Sequence, residues 1–222
     1  MHNAVRSCTR YPMVFLMLLF SCLCVVGSDV MAIEEVSYTV LEKGKDFELR
    51  HYEPYIVAET LVEGDFSEVG NEGFRRLFAY ISGNNRSRQS ISMTAPVSQV
   101  ADSEKIAMTA PVNQQEEDGK WRVAFMMPSE YTLETLPEPL DQRVVLRQVP
   151  GKLMAALKYS GTWSRSRYEE KKALLEKAIQ EHDLTPLGEP VFARYNPPFM
   201  PWFLRRNEVL LPVERVMPGS SQ

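Results

Sequence analysis

Cysteine is nearly missing from this chain of 222 residues: three occur, Cys8, Cys22 and Cys24, all close to the N-terminus. Past residue 32 there are none, which excludes a disulfide, a thiolate nucleophile and a cysteine-ligated metal from that part. Histidine is scarce too, with only His51 and His182 beyond the first residues. No histidine or carboxylate cluster has metal-ligand spacing. A glycine-rich phosphate loop is absent, and no Gly-x-Ser-x-Gly frames a nucleophile. Positive charge is not in excess either: 25 Lys and Arg stand against 29 Asp and Glu. A weakly acidic chain lacks the basic face that nucleic acid selects. These gaps leave no expected catalytic or metal-binding residues and turn the reading toward binding of a small molecule.

What is present begins with a segment that is not expected to join the fold. Arg6 and Arg10 precede an apolar run from Met13 to Val26, and Val30-Met31-Ala32 supplies small-residue cleavage chemistry. This is the grammar of a secretory signal peptide, residues 1–32, removed near Ala32. The run is shorter than the roughly 20 residues that span a bilayer. A lipoprotein signal at Cys22 fits poorly because Phe20 stands two residues before it. The expectation is an exported, periplasmic protein that meets a membrane only through this segment. Its mature part would fold as one domain, 33–215, with 216–222 a disordered tail.

The rest is organised around a phrase stated twice. Ile91-Ser92-Met93-Thr94-Ala95-Pro96-Val97-Ser98-Gln99 returns as Ile106-Ala107-Met108-Thr109-Ala110-Pro111-Val112-Asn113-Gln114. Both copies mix apolar and β-branched residues around a polar spacer, which predicts two strands of one hairpin. Whether Met93 and Met108 share a face depends on the register. Strands are expected at Tyr38–Leu41, Phe47–Tyr52 and Tyr55–Val62, then a helix from Asp65 to about Ser82. A polar tip, 114–120, separates the phrase from a strand at Trp121–Met127. The second half repeats the order: strands at 143–149 and 152–159, a helix over 164–182, strands at 191–195 and 208–213. Asp65 with Glu68, and Ser166 with Glu169, read as capping boxes. Two strand-strand-helix-strand-strand units predict an α+β fold, with two helices on one curved, mostly antiparallel sheet or distorted barrel.

The doubled Met-Thr-Ala-Pro-Val phrase resembles the SOUL haem-binding proteins. Ala193-Arg194-Tyr195-Asn196-Pro197-Pro198 and Pro201-Trp202-Phe203-Leu204-Arg205-Arg206-Asn207-Glu208-Val209 carry the same resemblance, as does Glu48-Leu49-Arg50-His51-Tyr52. The resemblance implies a pseudo-duplicated distorted barrel with a helix on each side. It also implies kinship in fold with effector-binding domains of some bacterial regulators. Its functional implication is a carrier or buffer for haem or another tetrapyrrole, held mainly by apolar contact. The other reading is a small-molecule-sensing or protein-interaction module of the same fold that binds no haem.

If a porphyrin is held, the first helix offers a face for it. Gly70 and Gly73 remove bulk there, and either a sheet or a flat ligand explains them. Phe74, Leu77 and Phe78 extend that face, Met93 or Met108 supplies an opposite wall, and Arg75 and Arg76 reach toward propionates. His51 shares a strand face with Phe47 and Leu49, as a core histidine or an axial ligand. His182, near a helix C-terminus, reads as structural. The loop of Phe199, Met200, Trp202 and Phe203 beside Arg205-Arg206 is either an exposed apolar patch or a plug for one end of the barrel.

Overall fold

Alternation of apolar and polar residues, punctuated by glycine and proline, sets out the strands, and a computed structural model describes residues 33–88 and 103–215. The expected signal segment, the first copy of the phrase with Met93, and the tail lie outside the described residues. The first half contains β1 (Tyr38–Lys43), β2 (Glu48–Tyr52), β3 (Tyr55–Val62), α1 (Phe66–Ile81) and the short β4 (Asn85–Arg86). It continues through β5 (Val112–Glu117) and β6 (Lys120–Met126) to a two-residue β7 (Glu138–Pro139). The second half contains β8 (Val145–Val149), β9 (Lys152–Tyr159), α2 (Arg165–Gln180), β10 (Leu184–Pro186), β11 (Val191–Arg194) and β12 (Asn207–Arg215).

One curled antiparallel sheet runs β1-β2-β9-β12-β11-β5-β6-β3-β8, with β10 added beside β12. From β2 to β8 this order reads alike in both directions once β2 is matched with β8, β3 with β9, β5 with β11 and β6 with β12. The duplication is therefore a pseudo-twofold whose axis passes between β5 and β11. Each half lends a strand to the other, since β2 pairs with β9 and β8 with β3. Strands β3 and β9 even share the same succession of buried and exposed positions. Each is followed by a glycine at positive φ, Gly64 at 134° and Gly161 at 138°, a conformation open to glycine and strained for other residues.

Both helices lie on one face of the sheet. Leu77, Tyr80 and Ile81 of α1 pack with Val112, Val123 and Phe125, and Tyr168, Leu175 and Ile179 of α2 with Leu49, Phe192 and Val209. Phe66, at the start of α1, joins the two: its ring lies 5.6 Å from both Tyr168 and Phe192. The opposite, inner face carries Tyr52, Met154, Ala156, Val191, Ala193, Tyr195 and Leu210.

The structure corrects four expectations. The second copy of the phrase is strand only at its end, Val112 to Gln114, and any pairing with the first copy lies outside the described residues. Ile106–Pro111 run as loop with a single bridge at Ala110, and from Val112 to Gln115 both edges of β5 are taken, by β6 and β11. The supposed polar tip is strand: β5 and β6 meet at Asp118-Gly119, both at positive φ, the pair that favours a two-residue hairpin. Asp65 makes no side-chain cap. The cap of α2 is Ser164 rather than Ser166, its hydroxyl accepting from the Arg167 amide.

Candidate functional site

An apolar cleft of about 210 Å³ opens on the helical face near the pseudo-twofold. Its walls are Gly70 and Phe74 of α1, Met108 to Ala110 of the repeated phrase, Trp163 before α2, and Tyr195 to Pro198 after β11. Its cation is Arg194, the last residue of β11, paired across the sheet with Val112. Glycine at position 70 is what admits that side chain beneath the helix. A Cβ there would stand 2.9 Å from an Arg194 guanidinium nitrogen and 2.9 Å from Gln114 Oε1. Gln114 spans the gap, donating to the Phe66 carbonyl at 2.9 Å and accepting from Arg194 Nη2 at 3.1 Å.

Arg194 is electrostatically unusual. Its guanidinium lies 5.3 Å from the Trp163 ring centre and 5.5 Å from that of Phe192, and among the described residues it makes no ion pair. Nε is buried without a hydrogen-bond partner among those residues, as is the Tyr159 hydroxyl. Burial pulls the Arg194 pKa down to about 10. It nevertheless remains charged at neutral pH, so the cleft presents a cation in apolar surroundings.

The opposite face of the sheet holds a contrasting assembly. Arg50, 2% exposed, reaches Glu208, 0% exposed, through bonds of 2.8 and 3.2 Å. Tyr195 donates to the same carboxylate at 2.8 Å, and Arg206 joins Glu208 to Glu35. Burial alone would raise the Glu208 pKa, but Arg50, Arg206 and the Tyr195 hydroxyl outweigh it and hold it below the ordinary value. Burial raises the Tyr52 hydroxyl to about 12. The charges of this assembly are paired with one another, Glu48 completing the set by accepting from Arg50 Nε at 2.9 Å.

A larger cleft of about 550 Å³ has acidic walls, Glu34, Glu35, Glu53 and Glu134, with Tyr55, Met126, Met127 and Tyr131 between them.

Of the residues proposed from sequence, Phe74 and Met108 meet at the apolar cleft. Phe78, 46% exposed, extends it by stacking on Phe74 with ring centres 5.7 Å apart. Gly73 does not face a ligand: a Cβ there would stand 2.5 Å from Val123 Cγ2, so this glycine serves close helix–sheet contact. Leu77 is core. Arg75 is exposed and lines none of these clefts. Arg76 is engaged with Glu72, Thr60 and the Leu61 carbonyl. His51 keeps the expected strand face but is exposed, 3.9 Å from Glu53, and lines neither cleft. His182 receives a structural role through the Ala178 carbonyl and the Phe47 ring. Phe199, Trp202 and Phe203 stand out from the surface rather than plugging the barrel.

Arg194 escaped the sequence reading, although the Ala193–Pro198 motif that carries it was in view. Its lack of a carboxylate partner is a tertiary fact.

Fold and cleft together define a class: a duplicated α+β half-barrel with an apolar cleft at its helical face. Residues 33–212 match the family model described as SOUL heme-binding protein, and the chain belongs to that family. It is 28% identical over 168 residues to Heme-binding protein 2 of Homo sapiens, covering 74% of this chain and 77% of that protein. The Mus musculus protein of the same name is 25% identical over 196 residues, covering 82% and 91%. Among solved structures, the C-terminal domain of EcmrR superposes with a TM-score of 0.52 at 11% identity, covering 81% of this chain and 99% of that one. An uncharacterized conserved protein from Listeria innocua gives 0.55 at 14%, covering 77% and 93%. These two share the fold alone.

Proposed function

We propose that the protein is a non-catalytic carrier or buffer of haem or another tetrapyrrole, acting after export to the periplasm. Arg194 is the observation that carries the reading: a cation without a carboxylate partner among the described residues, at an apolar cleft. A propionate is the partner it lacks, and a charge-assisted bond to it gains strength in such surroundings. The cleft falls below the roughly 300–1,000 Å³ of ordinary ligand pockets, so a porphyrin enters by one edge and rests its face on Phe74, Phe78 and Met108. Most of the affinity then comes from apolar contact, at about 25 cal/mol per Å² removed from water, less the cost of association. Met108 offers a thioether at the cleft should iron be ligated there.

Hemin titration followed by the Soret band tests this. Replacing Arg194 by methionine keeps the volume and removes the charge. Because a hydrogen bond to a charged group contributes roughly 1.5–3 kcal/mol, affinity falls about tenfold or more. Unchanged affinity in a folded Arg194→Met protein sinks the assignment of the cleft.

A second reading, a sensing module that binds no haem, rests on the acid-lined cleft, which suits a cation and repels propionates. Absence of any saturable Soret shift in the wild type favours it.

A further inference from the structure

We propose that the inner face of the sheet holds a small oxyanion, one carboxylate or phosphate group, between Arg122, Arg147 and Lys152. These three cations line a cavity of about 50 Å³ together with Tyr55, Glu59 and Asn113. Strand alternation gathers them: Glu59 and Val57 of β3, Arg122 and Ala124 of β6, and Arg147 and Val149 of β8 share one side. Lys152 opens β9, which Pro150-Gly151 joins to β8 although the two lie far apart in the strand order. The curl of the sheet therefore brings its side chain over the cavity. The apolar cleft lies on the other face, so this site does not rest on haem.

Two observations select an anion as the occupant. The first is charge. Glu59, 8% exposed, accepts from Arg147 at 3.1 and 2.8 Å and faces Arg122 Nη1 at 3.6 Å. Arg122 Nη2 is engaged by Glu117. The half-buried Lys152 side chain has no ion pair or hydrogen bond among the described residues. Three positive charges thus meet two carboxylates. Burial, and then the charge of Arg147, pull the Lys152 pKa below the ordinary lysine value. The second observation is a pair of orphaned atoms. Arg122 Nε and Asn113 Oδ1 are buried with no hydrogen-bond partner among the described residues, and both residues line this cavity. Water would satisfy Nε and leave the charge unbalanced. An oxyanion does both, accepting charge-assisted bonds from Arg122 Nε and the Lys152 ammonium. Asn113, turned about its last bond, gives it a further donor. The room is less than the liquid share of two waters, about 30 Å³ each, so it takes one acid group. In the other half the chain supplies that group itself: Glu208 stands where this half has Arg122, and Arg50 and Arg206 bond to it.

Thermal melts of the full chain in sodium phosphate and in sodium acetate, each against sodium chloride of equal ionic strength, test this. The melting temperature is expected to rise along a saturating curve. A rise in acetate alone assigns a carboxylate, in phosphate alone a phosphate group, and in both a site that reads the charge they share. Lys152→Met should melt no lower than wild type in chloride, because it removes an unpaired, partly desolvated cation. Its half-saturating anion concentration should be at least about tenfold higher. Lys152→Arg keeps the charge and should keep the response, as should Lys45→Met, which removes an exposed lysine away from the cavity. No saturable rise in wild type with either anion overturns the proposal and leaves water as the occupant. An equal rise in Lys152→Met also overturns it, since that is the stabilisation that excluded salts give proteins in general, or an adventitious ion only. So does a lower melt of Lys152→Met in chloride, which would show that Lys152 already has its counter-charge.

Discussion

On the inner face of the sheet an arginine stands at the same place in each half: Arg50 on β2, opposite Met154, and Arg147 on β8, opposite Val57. Their surroundings differ. Arg50 is sealed with Glu208 beneath Tyr38, Tyr52 and Tyr195. Arg147 has a side chain 42% exposed and shares Glu59 with Arg122. Strand pairing places Glu208 where the other half has Arg122, and Ala156 where it has Glu59. Duplication thus kept the position of the arginine, while its counter-charge came from a different strand in each half. The N-terminal stretch closes one network, because Glu35 caps it through Arg206; water reaches the other. The same bonds therefore have unequal worth.

Removing one carboxylate from each network should separate them most clearly. Glu208→Gln leaves the buried Arg50 with the partly exposed Glu48 as its one remaining counter-charge, which costs about 3 kcal/mol, the low end for a broken buried pair. Glu59→Gln leaves arginines that water can reach, and about 1 kcal/mol is expected. Urea midpoints of the two variants against wild type measure the difference, and equal losses would show that the networks are equally dry. Acid sharpens the contrast. The Glu208 carboxyl is held below its ordinary value, so its stabilisation is complete above the unfolded pKa of about 4.3 and is lost as pH falls through the folded one. The gap between wild type and Glu208→Gln should be wide at neutral pH and narrow in acid.

Much of this architecture was legible in the chain because its signals are local. Tyr55–Val62 and Lys152–Tyr159 are largely apolar runs bounded by proline or glycine, so their limits read directly. The outer half of β5 did not read as strand because Gln115 to Glu117 is wholly polar. The strand is held by neighbours on both edges, and Gln114 is buried through bonds to α1 and Arg194. The Asp118-Gly119 pair was its local signal. At the site, Phe74 and Met108 were foreseeable from a helix face and a repeated motif. Arg194 and Glu208 were not. Which buried arginine has a carboxylate beside it depends on strand order, and periodicity does not encode strand order.

The helices differ between halves as the arginines do: α2 has no glycine, whereas α1 has two with separate tasks. Alanine at Gly73 meets the branched side chain of Val123, anchored in the sheet. Overpacking of about 1–3 kcal/mol should exceed the roughly 1 kcal/mol gained in helix propensity. Alanine at Gly70 meets only the ends of Arg194 and Gln114. These can swing aside, so stability should change by less than about 1 kcal/mol while hemin affinity falls as Arg194 is displaced. Thermal melts beside hemin titrations check both. A Gly70→Ala protein that binds hemin normally would detach Arg194 from the ligand.

The smallest effect is expected where the two halves exchange strands, at His51. This residue lies on β2, the strand the first half lends to the second, beside Thr39 and Leu153. Its ring is half exposed, and its nearest charged neighbour, Glu53, is itself exposed. Surface substitutions of this kind usually shift stability by less than about 0.5 kcal/mol, so His51→Ala should melt as wild type does. Phe78 is also exposed, but it stacks on Phe74 at the rim of the apolar cleft. Truncating it removes ring area that a bound porphyrin would cover, and a loss of about 1 kcal/mol, or roughly fivefold in hemin affinity, follows. Hemin titration of the two variants side by side decides between burial and ligation. If His51→Ala alone abolishes the Soret shift while its melt is unchanged, the iron is ligated on β2, and tetrapyrrole binding belongs to the other half of this comparison.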